Sequence, residues 1–213
     1  MVQQKERMSV LFKSFDDIKF KACGIDDAGK GCLFGPVCSA AVILPDNFTE
    51  MCQENKIILR DSKKMTEKQK QASRKFIEKH ALDYSVQFVS NEIIDKDGIS
   101  VATILSMNNC IENLKQRPFK LLIDGNFFIN KHNIPYECII KGDNIYPEIK
   151  AASILAKTYR DEYILNFCSE KDEWKEKYDL HHNKGYGTKN HIHGIQKFGL
   201  TSYHRKSFCK KFT

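Results

Sequence analysis

Apolar and polar residues in the first half of the chain follow strand-like and helix-like periods in turn. Residues 37–44 form an apolar segment of small and β-branched side chains, which predicts a buried strand, and residues 19–25 predict a strand that runs into a glycine turn. Residues 84–89 alternate apolar and polar positions, as a half-buried strand does. Between them, Thr66 and Gln69 form a Thr-x-x-Gln capping box, which predicts the start of a helix.

The second half of the chain continues this alternation. Apolar residues at helical spacing predict helices over 99–114 and 147–167. Short apolar segments at 119–123 and 137–140 predict two more strands. Strands that alternate with helices predict an α/β fold with a mixed central sheet flanked by helices. A helix predicted over 188–198 belongs to a C-terminal helical region attached to that sheet.

Length, charge and cysteine content narrow the class of protein. The 213 residues are enough for one large domain, or for one domain with a small appendage. A formal net charge of +7 favours a polyanion such as nucleic acid as partner, although a solvated lysine-rich face has the same composition. We expect no membrane association, because no apolar segment approaches the roughly 18 residues of a membrane span. The eight cysteines lack zinc-binding spacing, which indicates reduced thiols and a cytoplasmic location.

Carboxylates follow three of the predicted strands. Asp26 and Asp27 follow the first, and Asp124 and Asp143 follow the two short ones. Ligand sites in α/β sheets lie outside strand ends, so neighbouring strands would bring these groups together. Each Asp-Gly pair taken alone is also ordinary turn chemistry. Since adjacent side chains of a strand point to opposite faces, Asp26 and Asp27 share a site only if the first strand ends there.

Converging carboxylates need cations, because each carboxylate raises the pKa of the others. Mg²⁺ is a natural partner, since it takes oxygen ligands and shares its coordination sphere with substrate phosphate. Two such ions about 4 Å apart would clamp an in-line phosphoryl displacement. The acidic residues therefore predict a metal-dependent phosphoryl-transfer site.

The loop after the first strand is almost a phosphate-binding P-loop. Gly24, Gly29 and Lys30 fit the pattern G-x-x-x-x-G-K, but Gly31 stands where a P-loop has Ser or Thr. Two carboxylates inside the loop would also place negative charge in the phosphate cradle. The sequence therefore disfavours nucleotide binding by this loop.

Five motifs, in order, resemble ribonuclease HII, the type 2 ribonuclease H family. They are GIDDAGKGCLFGPVCSAAVILP, DSKKMTEKQ, the DG at Asp124, GDNIYPEIKAASILAKTYRDEY and HNKGYGTKNHIHGIQKFGLTSYHRKSF. The resemblance implies an RNase H-like fold, with a catalytic domain over 19–168 and a C-terminal helical substrate-binding region over 169–213. Residues 1–18 would form an N-terminal extension.

The resemblance also implies an activity and its partners. The implied enzyme is a metal-dependent endonuclease that cleaves the RNA strand of RNA–DNA hybrids. It also cuts 5′ of ribonucleotides embedded in duplex DNA, and leaves 5′-phosphate and 3′-hydroxyl ends. The implied cofactor is Mg²⁺ or Mn²⁺, with two ions per site when substrate is bound. We expect a monomer.

Individual roles follow from the same resemblance. The metal-binding and catalytic carboxylates fall on Asp26, Asp27, Asp124 and Asp143, with Asp26 touching both ions. Asp161 is expected to be a supporting residue, because Lys157 lies one helical turn before it.

The implied nucleic-acid contacts come from two loops and a groove. The Gly29-Lys30-Gly31 loop matches the family's G-R-G, which recognises the 2′-OH that distinguishes RNA from DNA. Tyr186 matches the tyrosine that packs on the sugar at the RNA–DNA junction; an exposed turn aromatic is its plain alternative. The segment lining the substrate groove includes Ser62 and Lys63, and further cations for the phosphate backbone are Lys64, Lys68, Lys70, Arg74 and Lys75. His181 and His182 are expected to be a solvated pair, with no third metal ligand nearby.

Two positions depart from the family pattern. Asp27 replaces the usual Glu, and its carboxylate is withdrawn by roughly 1.5 Å, although metal distances tolerate only about 0.2 Å. Lys30 replaces the usual Arg and lacks the guanidinium fork. The first alternative is therefore a catalytically impaired hybrid-binding protein. The second is an enzyme like ribonuclease HIII, favoured by the Phe34-Gly35-Pro36 segment.

Overall fold

A computed structural model describes residues 21–60, 64–170 and 172–213, with residue 172 described by its backbone only. Within these ranges the chain forms five strands and nine helices. The strands are β1 (Ala22–Ala28), β2 (Val37–Ile43), β3 (Asp83–Val89), β4 (Lys120–Asp124) and β5 (Tyr136–Ile139). The helices are α1 (Phe48–Glu54), α2 (Glu67–His80), α3 (Asn91–Asp97), α4 (Ile99–Glu112), α5 (Pro147–Glu170), α6 (Asp172–Tyr178), α7 (Leu180–Asn183), α8 (Lys189–Phe198) and α9 (Lys206–Cys209). The predicted extension over 1–18 lies outside the described residues.

The five strands form one mixed sheet in the order β3-β2-β1-β4-β5. The pairs β3–β2 and β2–β1 are antiparallel, whereas β1–β4 and β4–β5 are parallel. The mixed sheet flanked by helices that the sequence predicts is therefore confirmed. The parallel half of the sheet brings the carboxyl ends of β1, β4 and β5 to the same edge.

Strand β2 is buried on both faces, which explains why its sequence is almost wholly apolar. Ala40 and Val42 pack into a cluster with residues of α5, including Ile154. The intervening residue Ala41 packs on the opposite face with residues of α4, including Met107. Because β2 is covered by a helix on each side, the sheet forms the middle layer of three.

Helix α5 passes unusually close to β1, and Gly24 makes this possible. A Cβ atom at Gly24 would lie 2.1 Å from the backbone carbon of Glu148 in the first turn of α5. The close approach places the next turns of α5 beside the carboxylates of β1. Ser153 of α5 thereby hydrogen-bonds the side chain of Asp26.

The helices of the C-terminal region pack against the far half of α5. The buried cluster joins Leu33 and Phe34 of the β1–β2 loop to Ile164 of α5 and to Leu180 and Ile195 of the C-terminal helices. Helix α5 itself continues unbroken to Glu170. Within the described ranges, none of the helices combines the length and apolar character that crossing a bilayer requires.

Candidate active site

The four predicted carboxylates line one cleft at the carboxyl end of the parallel strands. The cleft has a volume of about 1100 Å³. Asp124 is the last residue of β4, and Asp143 lies in the 3₁₀ turn Gly142–Asn144 that follows β5. Asp26 and Asp27 line the same cleft from β1.

Strand β1 does not end at the two aspartates, and this expectation from the sequence is wrong. Pairing with β2 continues through Asp27 to Ala28, whereas pairing with β4 stops at Ile25. After Ile25, β1 therefore has no hydrogen-bonded neighbour on the β4 side, while it stays paired with β2 on the other side. The end of the β4 ladder exposes this segment to the cleft, so both aspartates reach it without a strand end.

Taken as whole residues, Asp26 is the most buried of the four aspartates, with 7% of its surface exposed. Burial is the main cause that raises its pKa well above the ordinary range, and the charges of Asp27 and Asp124 add to it. Hydrogen bonds from the Ser153 hydroxyl and from the backbone N–H of Asp27, at 2.7 Å, act in the opposite direction. An ionised Asp26 therefore requires additional positive charge in the cleft.

Asp27 and Asp124 have different partners inside the cleft. Nζ of Lys30 lies 2.6 Å from Oδ1 of Asp27, whose side chain is only 5% exposed. Oδ1 of Asp124 accepts a hydrogen bond of 2.8 Å from the backbone N–H of Gly142. This bond fastens the turn that carries Asp143 to the end of β4.

The Gly29-Lys30-Gly31 loop joins two antiparallel strands, whereas a P-loop joins a strand to a helix. The rejection of a P-loop is therefore confirmed. Gly29 has φ of +92°, and a Cβ atom there would lie 2.0 Å from Nε of Arg160. Nη1 of Arg205 donates hydrogen bonds of 2.8 Å and 3.0 Å to the carbonyls of Gly29 and Lys30. Glycine and a buried arginine together fix the course of the loop.

Tyr186 lies beside this loop on the wall of the cleft. Its backbone forms a β-bridge with Cys32, and its side chain is partly accessible. Burial raises the pKa of Tyr186 to about 12. Nζ of Lys157 lies 5.2 Å from the centre of the ring. With 38% of its surface exposed beside a turn, Tyr186 also matches the plain alternative of an exposed turn aromatic, so its role at the sugar stays a prediction.

Two buried arginines hold the loop and the tyrosine turn together. Arg160 of α5 donates to the carbonyl of Phe34 at 2.9 Å and to that of Lys184 at 2.8 Å. Arg205 reaches the loop from the segment before α9. Both side chains are fully buried, and backbone carbonyls accept their hydrogen bonds. Our sequence analysis assigned neither arginine a role, because a buried arginine has no periodic signal that separates it from a solvated one.

Two buried histidines, His204 and His191, form a chain of hydrogen bonds that ends at the backbone carbonyl of Tyr186. Nδ1 of His204 accepts the N–H of Thr201 at 3.0 Å, so the ring proton of His204 lies on Nε2. That proton is donated to Nε2 of His191, 3.1 Å away, and Nδ1 of His191 donates to the carbonyl of Tyr186 at 2.9 Å. Burial lowers the pKa of both histidines, and the pKa of His204 falls to about 3 with His191 beside it. Both rings are therefore neutral at neutral pH.

Of the cations predicted to contact phosphates, some line the cleft and others lie outside it. Lys64 and Lys70 line the cleft. Arg74 does not line it, because its guanidinium is held by Glu78 at 2.7 Å and Glu162 at 2.8 Å. Lys68 and Lys75 are exposed on α2 outside the cleft, while Ser62 and Lys63 lie outside the described residues.

Asp161 forms the expected ion pair with Lys157, at 2.8 Å between Oδ1 and Nζ. Both side chains line the cleft. The expectation for His181 and His182 is wrong in one respect, because Asp179 lies beside them. Ligand atoms of these three residues lie within 4.8 Å of one another, and no other such group occurs among the described residues.

Solved structures with a similar backbone fold establish the class of fold. Ribonuclease H2 from Pyrococcus horikoshii OT3 matches with a TM-score of 0.71 at 21% identity, over 91% of this chain and 97% of that one. Bst-RNase HIII in complex with Mn²⁺ matches with a TM-score of 0.61 at 18% identity, over 87% of this chain and 65% of that one. The mixed sheet with its flanking helices is an RNase H-like fold.

Sequence comparison identifies the family within that fold. The family described as Ribonuclease HII matches residues 23–211. A protein named Ribonuclease HII from Bacteroides fragilis is 49% identical over 185 residues, 87% of each chain. Another of that name, from Christiangramia forsetii, is 44% identical over 195 residues, 92% of this chain and 93% of that one. This chain belongs to the ribonuclease HII family, and it is an endonuclease of the ribonuclease H type.

Proposed function

We propose that the cleft cleaves nucleic acid 5′ of a ribonucleotide embedded in duplex DNA, and also cleaves the RNA strand of RNA–DNA hybrids. The main support for this proposal is that a group of carboxylates and a candidate ribose-recognising surface line the same cleft. Four carboxylates line it together with the Gly29-Lys30-Gly31 loop and Tyr186. The first feature suits phosphodiester hydrolysis, and the second suits recognition of a ribose.

The donor set fits hard divalent cations. Oxygen ligands from several carboxylates are those that Mg²⁺ and Mn²⁺ prefer. The raised pKa of Asp26 fits the same group, because an ion beside it would offset the burial and the neighbouring charges. We propose that Asp26, Asp27, Asp124 and Asp143 hold two such ions. When bound, the ions supply activation of water and neutralisation of charge at the phosphate.

The residues of the chain itself position the substrate. The backbone of the Gly29–Gly31 loop approaches the ribose closely at Gly31, where no side chain separates them and no other atom lies within 4 Å of the Cβ position. A 2′-OH at that point satisfies polar groups that a deoxyribose leaves unpaired. Tyr186 packs on the neighbouring sugar, and the clustered lysines of the cleft contact phosphates. The reaction breaks the bond between phosphorus and the 3′ oxygen, so the products are a 3′-hydroxyl and a 5′-phosphate.

The test is cleavage of an end-labelled DNA duplex with one ribonucleotide, beside an all-DNA duplex, first with Mg²⁺ and then with Mn²⁺. We expect a single cut 5′ of the ribonucleotide and none in the control duplex. Asp124→Asn should lower the rate by about 100-fold or more, since even residues outside the ligand shell typically account for 10–100-fold. Asp46→Asn is the matched control, because Asp46 is an exposed aspartate away from the cleft. The proposal would be overturned if the duplex that contains the ribonucleotide stayed uncut with both metals.

One observation favours a second function. The ion pair of Asp27 with Lys30, at 2.6 Å, engages the shortened carboxylate with a half-exposed cation. A protein with such a site would bind hybrids and cleave them slowly or not at all. Retained duplex binding without cleavage in the same assay would favour this function. Efficient cutting at a single ribonucleotide would favour the ribonuclease HII activity over one like ribonuclease HIII.

A further inference from the structure

A second group of potential metal ligands lies at the rim of the cleft, in the short segment between α6 and α8. It consists of Asp179, His181 and His182, whose ligand atoms lie within 4.8 Å of one another. Only His182 of the three also lines the cleft. The group is therefore separate from the four aspartates and differs from them in its chemistry.

The backbone fixes the position of Asp179. The residue has φ of +55°, and its carbonyl accepts the N–H groups of His182 at 3.1 Å and Asn183 at 3.0 Å. Its Oδ2 atom accepts a hydrogen bond of 3.0 Å from the side-chain amide of Asn190 in α8. The other oxygen, Oδ1, faces the two imidazoles. A ligand held by a hydrogen bond on its second oxygen has the arrangement typical of a supported metal-binding carboxylate.

Electrostatics keep this carboxylate charged. Partial burial acts to raise its pKa, but hydrogen bonds from His182 and Asn190 outweigh that effect and hold the pKa of Asp179 below its ordinary value. Binding of an ion would displace the Nδ1 proton of His182 that makes one of these hydrogen bonds.

His181 gives the independent observation that points to a ligand. Its Nδ1 atom is buried and has no hydrogen-bond partner. It lies 3.9 Å from Oδ1 of Asp179, whereas Nδ1 of His182 lies 2.6 Å from the same oxygen. A buried ring nitrogen without a partner has lost its hydration without gaining a hydrogen bond, which costs free energy. A cation among the three atoms would remove this penalty.

We propose that Asp179, His181 and His182 form a binding site for a borderline-soft divalent ion of the zinc class. Two imidazoles and one carboxylate are a donor set for Zn²⁺, whereas Mg²⁺ prefers oxygen ligands. Metal–ligand bonds of about 2.0–2.1 Å require donor atoms roughly 3.4 Å apart in a tetrahedron. Oδ1 of Asp179 lies 3.9 Å from Nδ1 of His181 and 2.6 Å from Nδ1 of His182, so both imidazoles would move by less than about 1 Å to reach that geometry. The side chain of His182 is 73% exposed, so a fourth position is open to water or to a substrate oxygen.

The location gives the ion an influence on the cleft. His182 stands on the cleft wall with Lys184. A divalent ion there adds positive charge to the rim without occupying the four carboxylates. This consequence for nucleic-acid affinity rests on the proposed function, whereas the binding site itself does not.

The test is a titration of the full chain with Zn²⁺ in the presence of saturating Mg²⁺, without nucleic acid, by calorimetry or against a chromophoric chelator. Saturating Mg²⁺ keeps the hard-cation site filled. We expect one Zn²⁺ per chain, and affinity lowered by at least about 10-fold in His181→Gln, His182→Gln and Asp179→Asn. Asn190→Ala should lower it by about 10-fold, because it removes the support of the carboxylate.

The matched control is His193→Gln, which changes an exposed histidine of α8 that belongs to neither group. It should bind Zn²⁺ as the unmodified chain does. Circular dichroism of each variant establishes that it is folded. Substitution of Co²⁺ separates imidazole from cysteine ligation, since thiolate adds an intense near-ultraviolet band. The proposal would be overturned if the chain bound no Zn²⁺, or if His181→Gln and His182→Gln bound Zn²⁺ as tightly as the unmodified chain does. Neither outcome bears on cleavage activity.

Discussion

The ammonium group of Lys30 lies 2.6 Å from the carboxylate of Asp27, and these are the two positions at which the family resemblance leads us to expect other residues. The side chain of Lys30 is half exposed, whereas that of Asp27 is 5% exposed. The pair therefore joins the half-exposed ammonium group of Lys30 to the buried carboxylate of Asp27. Two substitutions that a sequence comparison treats as separate are thus one contact in the folded chain.

We expect Asp27→Glu to increase the rate of cleavage with Mg²⁺. The added methylene carries the carboxylate roughly 1.5 Å further into the cleft, towards the usual ligand position. A gain of about 10-fold corresponds to ~1.4 kcal/mol of barrier. The measurement is a single-turnover rate on a duplex with one ribonucleotide, with Asp27→Asn as the variant expected to lose activity. An unchanged or lower rate in Asp27→Glu would show that the aspartate suits this site.

Gly29→Ala should destabilise the fold, whereas Gly31→Ala should be tolerated. Position 29 combines φ of +92° with a Cβ position 2.0 Å from Nε of Arg160. Position 31 has no atom within 4 Å of its Cβ position. We expect a loss of about 1–3 kcal/mol for Gly29→Ala and less than about 0.5 kcal/mol for Gly31→Ala. Urea unfolding measures both, and equal effects would contradict the packing described for the loop.

Arg160→Met should be among the most destabilising single substitutions. It leaves the carbonyls of Phe34, Pro36 and Lys184 without their buried donor. Charged hydrogen bonds contribute about 1.5–3 kcal/mol each, so we expect a loss of about 3 kcal/mol or more. Arg117→Met is the control, because Arg117 also donates to backbone carbonyls, those of His132 and Asn133, but is exposed, where substitutions usually cost within about 0.5 kcal/mol. Similar unfolding midpoints for the two variants would refute the assigned role of Arg160.

Stability should fall as the pH is lowered below about 6.5, the ordinary pKa of histidine. Burial and His191 lower the pKa of His204 to about 3 in the folded chain. The unfolded chain therefore binds more protons between these values, and stability is present above the window and lost as pH falls through it. His204→Gln should show a smaller difference between pH 7 and pH 5 in the free energy of unfolding. An identical pH dependence in this variant would exclude His204 as the cause.

Local signals in the sequence account for much of the fold. The capping box at Thr66 and Gln69 is present with both hydrogen bonds, because its geometry depends on a few neighbouring residues. The apolar segment over 37–44 is β2, with a difference of one residue at its end. Short helices such as α1 and α6 were not predicted, since seven residues hold too few turns for a clear period.

The site depends on relations that no local pattern contains. The carboxylates were located from the strands before them, but the opening beside Asp26 comes from where β4 stops pairing. Asp179 meets His181 through a positive φ angle at a residue that is not glycine. Such a conformation is uncommon for a residue with a side chain, so the sequence gives little sign of it.

The hydrogen bond from Arg205 to Gly29 joins positions separated by 176 residues. Closing so long a segment of chain has an entropy cost that the contact must offset, so the course of the Gly29-Lys30-Gly31 loop depends on docking of the C-terminal region. Undocking of that region would remove both Arg205 hydrogen bonds from the loop, while the pairing of β1 with β2 stays in place.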